Sequence, residues 1–243
     1  MRVPKPLTLY AAFLYSMVTD NAIVLHSRRY ADTSRIVVLL TETLGKVSVV
    51  AKGSRTPKSK VGGALEPLSL CRVSIYHRKN RELHTLGMAE LTSVWKRNHT
   101  SFEHLQAGMI ICRQALRTLP AEVSAPEIYE HFKVSLQQLD AVLPEEAYPH
   151  SVRVRVHLTH LLGFGLHPEL LQRDEKLMKG AWVYVDVADG RIVGSSGYPL
   201  TVDSLQLLTA DSWTSGQVPV SVQTEVDGFL SRYFAHHLGG HSL

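Results

Sequence analysis

The fold is decided by residues 34–55, which read SRIVVLLTETLGKVSVVAKGSR. Two runs rich in β-branched residues, 34–41 and 46–52, are separated at a spacing that is typical of a β-hairpin. The second run leads into a loop that contains glycine and proline and carries four cations. A sheet that ends in a mobile basic loop can hold phosphate groups without reading bases, so this stretch indicates a nucleic acid as partner. The four cations are Lys52, Arg55, Lys58 and Lys60.

Similar short runs flank the hairpin, at 22–27 before it and at 65–77 and 83–91 after it. Within 65–77 the apolar positions change parity, which predicts a β-bulge near Cys71 and Arg72. Five short strands in about 70 residues, one of them sharply bent, fit a small closed barrel. We therefore expect an oligonucleotide-binding (OB) barrel.

Beyond Trp95 the apolar period becomes helical. It predicts a helix over 101–119, a second that is opened by a capping box at 124–127 and includes Leu139, a third that is opened by Pro149, and further helices near 201–210 and 219–238. A hairpin is predicted near 182–194, around Asp189 and Gly190.

The predicted fold class is α+β, with an N-terminal five-stranded OB-fold barrel followed by a helical bundle that has a small β-hairpin insertion. The expected domains are an N-terminal extension over 1–16, a nucleic-acid-binding barrel over 17–97 and a helical domain over 98–243. The apolar run near the N-terminus is too short to span a bilayer and lacks a clear cleavage site. We expect Met17 to be the ordinary start, and a cytoplasmic protein without a membrane partner.

The charge is distributed unevenly along the chain. Residues 21–100 hold 14 lysines and arginines against 5 acidic residues, a net charge of +9. Residues 101–243 hold 10 against 16, a net charge of −6, although the whole chain is only +4. This split indicates a basic module joined to a more acidic one that suits protein contacts.

The residues expected to bind nucleic acid lie in the basic part. Cations on the loop and on the solvent faces of strands would contact phosphates, and neighbouring tyrosines could stack on bases. Taken singly, each of these side chains could be an ordinary solvated group, and the set carries the prediction. The set is Arg28, Arg35, Lys46, Lys52, Arg55, Lys58, Lys60, Arg72, Arg81, Tyr30 and Tyr76.

Signatures of enzymes and of metal sites are absent from the sequence. There is no phosphate loop, no nucleophile elbow and no dinucleotide fingerprint. His157 and His160, and the histidines at 236, 237 and 241, lack a carboxylate or cysteine at partner spacing, and the two cysteines are isolated. We expect a binding protein that is not an enzyme and has no metal, cofactor or small-molecule substrate. An RNA- or ribosome-associated OB protein and an undetected nuclease or hydrolase remain as alternatives.

Several motifs match a known family. They are the segments 22–27, 30–36, 41–46 and 51–55 in the barrel, then Leu65-Glu66-Pro67-Leu68, the 81–91 region, Leu161-Leu162-Gly163-Phe164 and Tyr233-Phe234 with His236-His237. Over about 17–243 the chain resembles the RecO family of bacterial recombination mediators. Many relatives carry a four-cysteine zinc insertion, but residues 170–200 contain no cysteine, so the chain is similar to the metal-free branch.

The resemblance implies a nucleoid-associated location in a bacterium, an activity and partners. It implies binding of single- and double-stranded DNA, annealing of complementary strands, and loading of the recombinase on coated DNA together with RecR. It also implies a pocket in the helical part for the acidic tail of single-strand-binding protein. The candidate cations for that tail are Arg113, Arg117, Arg153 and Arg155.

Overall fold

The structure is a computed structural model that describes residues 16–57, 59, 61–78, 80–167, 181–194, 196–209 and 217–239. Contacts between Cα atoms divide the chain into two compact units. The first contains the chain up to Lys96 together with Leu119–Val134, and the second contains Arg97–Thr118 and the chain from Ser135 onward. The domain limits expected from the sequence stay a prediction.

The first unit contains a closed five-stranded barrel with the strand order β1-β2-β3-β5-β4. All neighbouring strands are antiparallel except β3 and β5, which run parallel. The N-terminal barrel and the helices that follow it confirm the predicted α+β class. The strands are β1 (Ser16–Tyr30), β2 (Ser34–Thr41), β3 (Gly45–Ala51), β4 (Leu70–His77) and β5 (Leu83–Ser93).

Alternation of side chains fills the barrel. In β3, Val47, Val49 and Ala51 point into the core while the residues between them are half-buried. The predicted bulge is confirmed, because the register of β4 and β5 shifts between Leu70 and Cys71. The strand β1 is longer than predicted, since its first part pairs with β4 and its second part pairs with β2.

The described helices begin directly after the barrel. In the second unit, α2 packs on α4, and α5 contacts both α4 and α6. The third predicted helix begins at Pro144 rather than at Pro149, because Pro144 occupies the first turn and Pro149 is accommodated inside the helix. The helices are α1 (Lys96–Thr100), α2 (Phe102–Thr118), α3 (Pro126–Leu139), α4 (Pro144–Leu161), α5 (Val202–Thr209) and α6 (Val220–His237).

A small sheet lies between α4 and α5 in the sequence. The predicted hairpin is present as β6 (Trp182–Val185) and β7 (Ile192–Val193), with a turn at Gly190. A third strand, β8 (Tyr198–Thr201), pairs with the other edge of β6 and was not predicted. Its four residues are too few for a period-2 signal.

The two cysteines behave as small core residues. Cys71 and Cys112 are both buried, and burial raises the pKa of each thiol to about 12. Within the described part of the chain, every helix is too short or too polar to cross a lipid bilayer.

Candidate nucleic-acid interface

An open cavity of about 230 Å³ lies at one end of the barrel and is lined almost entirely by arginine. Its walls come from the end of β1, the start of β2 and the loop after β3. The β1–β2 register places Arg29 opposite Arg35 and Arg28 opposite Ile36. The lining residues are Ser27, Arg28, Arg29, Arg35 and Arg55.

The loop after β3 is fastened to the turn between β1 and β2 through Arg55. The Arg55 backbone N–H donates to the Thr33 carbonyl oxygen (N···O 3.0 Å). Its guanidinium donates to the carbonyl oxygens of Asp32 (3.0 Å) and Ala31 (3.4 Å). Arg55 therefore positions the basic loop and also contributes its charge to the cavity.

Arg35 is held by an acidic neighbour. Its Nη1 lies 2.7 Å from Glu66 Oε1 and 3.4 Å from Ser27 Oγ. Glu66 is about half exposed, so the pair is partly solvated and contributes little to stability. The carboxylate nevertheless lowers the positive potential that Arg35 adds to the cavity.

Arg28 and Arg29 differ from these two residues. Both are exposed, and neither guanidinium has a hydrogen bond or ion pair with another described residue. Arginine presents a planar set of donors that matches a phosphate group. The cavity thus combines two fastened arginines with two that are available to an anion.

Sequence reasoning included Arg28, Arg35 and Arg55 in the candidate set but did not single out Arg29. Arg29 follows Arg28 directly, and the predicted strand ended at residue 27, so its place opposite Arg35 was not visible. Extending β1 to the hairpin turn would have found it.

The remaining predicted cations do not all join this cavity. Lys46 lies at the start of β3, about 20 Å along the strand from Lys52, and burial lowers its pKa. Arg81 precedes Leu83, which pairs with Ser48 in the middle of β3. Lys58 and Lys60 lie outside the described residues.

The last three predicted residues lie on exposed positions of strands. Arg72 is on β4 between Asn21 and Glu90 in register. Tyr30 ends β1, whereas Tyr76 lies on β4. The ring of Tyr76 lies against Gly87, so closely that a Cβ on that glycine would meet it at 2.8 Å.

A second basic cavity, of about 70 Å³, lies in the helical unit. Arg155 is 4% exposed, its Nη1 lies 2.6 Å from Asp227 Oδ1, and its Nε donates to the Ser151 carbonyl oxygen (3.1 Å). Its Nη2 is buried without a hydrogen-bond partner among the described residues. The cavity is lined by Ile110, Arg113, Gln114, Arg117, Arg155, Asp227 and Ser231.

The structure therefore brings together three of the four arginines predicted to bind an acidic partner. Arg153 is placed elsewhere, with its Nη2 3.8 Å from Glu146 Oε2. A buried donor without an acceptor is costly, so Arg155 Nη2 favours an anionic group in this cavity.

Comparisons with known proteins agree with one another. The family model described as "Recombination protein O N terminal" matches residues 16–95, which span the barrel. A relative called "DNA repair protein RecO" from Nocardioides sp. is 31% identical over 233 residues, which cover 90% of this chain and 93% of the relative.

Two further relatives carry the same name. The protein of Methylococcus capsulatus is 26% identical over 230 residues, which cover 93% of this chain and 90% of that relative. The protein of Salinibacter ruber is 28% identical over 186 residues, which cover 76% and 70%.

Proposed function

The chain belongs to the RecO family of DNA repair proteins, and we propose that it acts by binding single- and double-stranded DNA and annealing complementary strands. It then helps to load the recombinase on DNA that is coated by single-strand-binding protein. RecR is its proposed partner in that step, on the basis of the family alone.

The observation that carries the proposal is the arginine cavity at the end of the barrel. Arg28 and Arg29 are exposed there without partners among the described residues, while Arg35 and Arg55 are fixed beside them. Guanidinium groups in this arrangement suit consecutive phosphates of a DNA backbone. None of the described residues that line the cavity is aromatic, so it favours backbone contact over base recognition.

Backbone contact suits strand annealing. Two DNA strands repel each other through their phosphates, and a barrel region with a net charge of +9 can neutralise part of both. Bases that are not held by the protein stay free to pair. The reaction needs no hydrolysis of a nucleotide, in accord with the lack of a phosphate loop in the sequence.

The second cavity supports the proposed contact with single-strand-binding protein. A carboxylate from an acidic peptide tail would accept a hydrogen bond from Arg155 Nη2 and lie near Arg113 and Arg117. Ile110 adds an apolar contact for a neighbouring side chain of the tail.

The deciding experiment measures annealing of complementary oligonucleotides that are coated with the cognate single-strand-binding protein. We expect this protein to accelerate annealing over the uncatalysed rate and to return both strands intact. An unchanged rate would contradict the proposal. Loss of labelled strand that depends on added metal would support the nuclease alternative instead.

A competition experiment separates the DNA proposal from the alternative of an RNA-binding protein. Equal-length DNA and RNA strands of the same sequence compete for the full chain. We expect DNA to compete at least as well as RNA, whereas a strong preference for RNA would favour the ribosome-associated alternative.

A further inference from the structure

Three side chains from separate parts of the first unit meet at one point. They are His77 at the end of β4, His84 near the start of β5 and Glu122 in the segment after α2. His77 Nε2 lies 3.2 Å from Glu122 Oε2, and His84 Nε2 lies 2.8 Å from Glu122 Oε1. The imidazole rings are 4.4 Å apart between centroids. One ligand atom from each residue lies within 4.8 Å of the other two.

The backbone holds Glu122 in place for this contact. Its φ is 56°, a left-handed conformation that non-glycine residues seldom adopt. Its N–H donates to the Lys46 carbonyl oxygen (2.9 Å), and Ala121 bridges to Lys46. Backbone strain of this kind persists where the surroundings fix it and is common at ligand sites.

We propose that His77, His84 and Glu122 bind a divalent transition-metal ion, with Zn²⁺ as the best match. Imidazole nitrogen and carboxylate oxygen are zinc ligands, at about 2.0–2.2 Å from the ion. In a tetrahedral site these bonds separate neighbouring ligand atoms by roughly 3.3 Å. The 3.2 Å between His77 Nε2 and Glu122 Oε2 matches this separation, whereas the 2.8 Å between His84 Nε2 and Glu122 Oε1 must widen to admit the ion. Water would complete the fourth position.

The burial of the three residues suits an ion that enters from solvent. The His84 side chain is fully buried, His77 is 17% exposed and Glu122 is 33% exposed. One rigid ligand is thus anchored in the barrel, and two more accessible ligands close over it. The charge of the ion is partly neutralised by the Glu122 carboxylate.

The hydrogen bond at His84 Nδ1 shows that an ion bound at Nε2 must displace a proton. The Arg78 backbone N–H donates to His84 Nδ1 (3.3 Å), so without an ion the proton of the ring is on Nε2 and is donated to Glu122. An ion at Nε2 takes the place of that proton, which moves to Nδ1. The long contact with Arg78 is lost, while the link between the barrel and Glu122 is kept.

Such an ion would cross-link two parts of the first unit that are distant in the sequence. Glu122 belongs to the segment that lies along the start of β3, and His77 and His84 flank the β4–β5 loop that carries Arg78 and Arg81. A bound ion would fasten that segment to the base of the loop and raise the stability of the first unit.

The test is a calorimetric titration of the chelator-treated full chain with ZnCl₂. We expect one equivalent of zinc to bind and the midpoint of thermal unfolding to rise. X-ray absorption spectroscopy should show nitrogen and oxygen ligands without sulfur. His77→Ala and Glu122→Gln should each weaken binding at least about 10-fold. Glu122→Gln keeps the size of the side chain and its capacity to accept hydrogen bonds, so it tests the site if His77→Ala fails to fold.

The double variant His157→Ala/His160→Ala is the matched control, since it removes two histidines that lie near each other on α4 in the second unit. It should bind zinc as the unchanged protein does. The proposal is overturned if no zinc binds, if Glu122→Gln binds with unchanged affinity, or if the helical double variant loses the binding.

Discussion

The carbonyl oxygen of Val123 occupies the place where a side chain on Gly45 would begin. A Cβ on Gly45 would overlap that oxygen, and the φ of Gly45 is +70°. The glycine therefore serves two purposes: it turns the β2–β3 hairpin, and it lets the segment after α2 lie against β3.

Gly45→Ala should accordingly destabilise the protein by about 2 kcal/mol or more, because it combines a steric overlap with a left-handed backbone. Urea denaturation of the full chain measures the change, and hydrogen exchange of β3 residues shows whether it is local. Gly63→Ala is the matched control: its Cβ would meet open space, so a change within about 0.5 kcal/mol is expected. Equal effects of the two variants would contradict the packing argument.

The double variant Arg28→Ala/Arg29→Ala should weaken binding of single-stranded DNA. If each arginine contacts one phosphate, the slope of log affinity against log salt should fall in magnitude by about 1.4. Fluorescence anisotropy over a salt series measures both quantities. Arg191→Ala/Arg232→Ala removes the same charge from the second unit and should leave the slope unchanged.

Glu66→Gln should strengthen DNA binding, since it removes the carboxylate 2.7 Å from Arg35 Nη1. The pair is partly solvated, so the expected gain is modest, about 2- to 5-fold. The same anisotropy assay measures it. Glu90→Gln, on an exposed position of β5, is the charge-matched control. A loss of affinity in Glu66→Gln would mean that the ion pair orients Arg35 for its phosphate.

Arg113→Ala/Arg117→Ala should weaken binding of an acidic peptide that represents the tail of single-strand-binding protein, by about 10-fold. These residues line the small helical cavity without making the buried contacts of Arg155, so the fold should tolerate the change. Arg153→Ala is the control because Arg153 lies beside Glu146 instead. Equal losses of peptide affinity in the double variant and in Arg153→Ala would contradict the proposal that the cavity binds the tail.

Acidification should destabilise the helical unit through His150. Burial lowers the pKa of this imidazole, whose Nε2–H donates to the Ser135 carbonyl oxygen (2.8 Å). The unfolded chain therefore takes up a proton near the ordinary histidine pKa before the folded chain does, so stability is full above that pKa and falls as the pH drops below it. Denaturation of the full chain at pH 7.5 and 5.5 tests this. The His150→Gln variant should lose less free energy of unfolding between pH 7.5 and 5.5 than the unchanged protein does. An equal loss would exclude His150 as the cause of the acid destabilisation.

The sequence predicts the barrel well because its signals are local. The β2 strand has the predicted bounds, the hairpin at Gly45 is present, and the bulge beside Cys71 follows from a change of parity within a few residues. Helices α2, α5 and α6 follow from the apolar period for the same reason.

The features that were missed depend on contacts between distant residues. The parallel pairing of β3 with β5 joins residues that are far apart in the chain, so no local sequence pattern predicts it. Local sequence does not predict the contact of His77 and His84 with Glu122 either, since Glu122 belongs to another segment. Metal-ligand spacing in the sequence can indicate only residues that are close in the chain, such as His157 and His160, and these three ligands are not.

The parallel pairing of β3 with β5 also orders events during protein synthesis. Strands β1 to β3 can pair as a meander as soon as they leave the ribosome, but the sheet keeps two open edges until β5 has emerged up to Ser93. The start of β3 stays unpaired on that side for longer, until Ala121 and Glu122 are made and lie against Lys46. A nascent chain that stalls before residue 119 would still expose that backbone, so the first unit would stay prone to aggregation through the start of β3 while α2 is being translated.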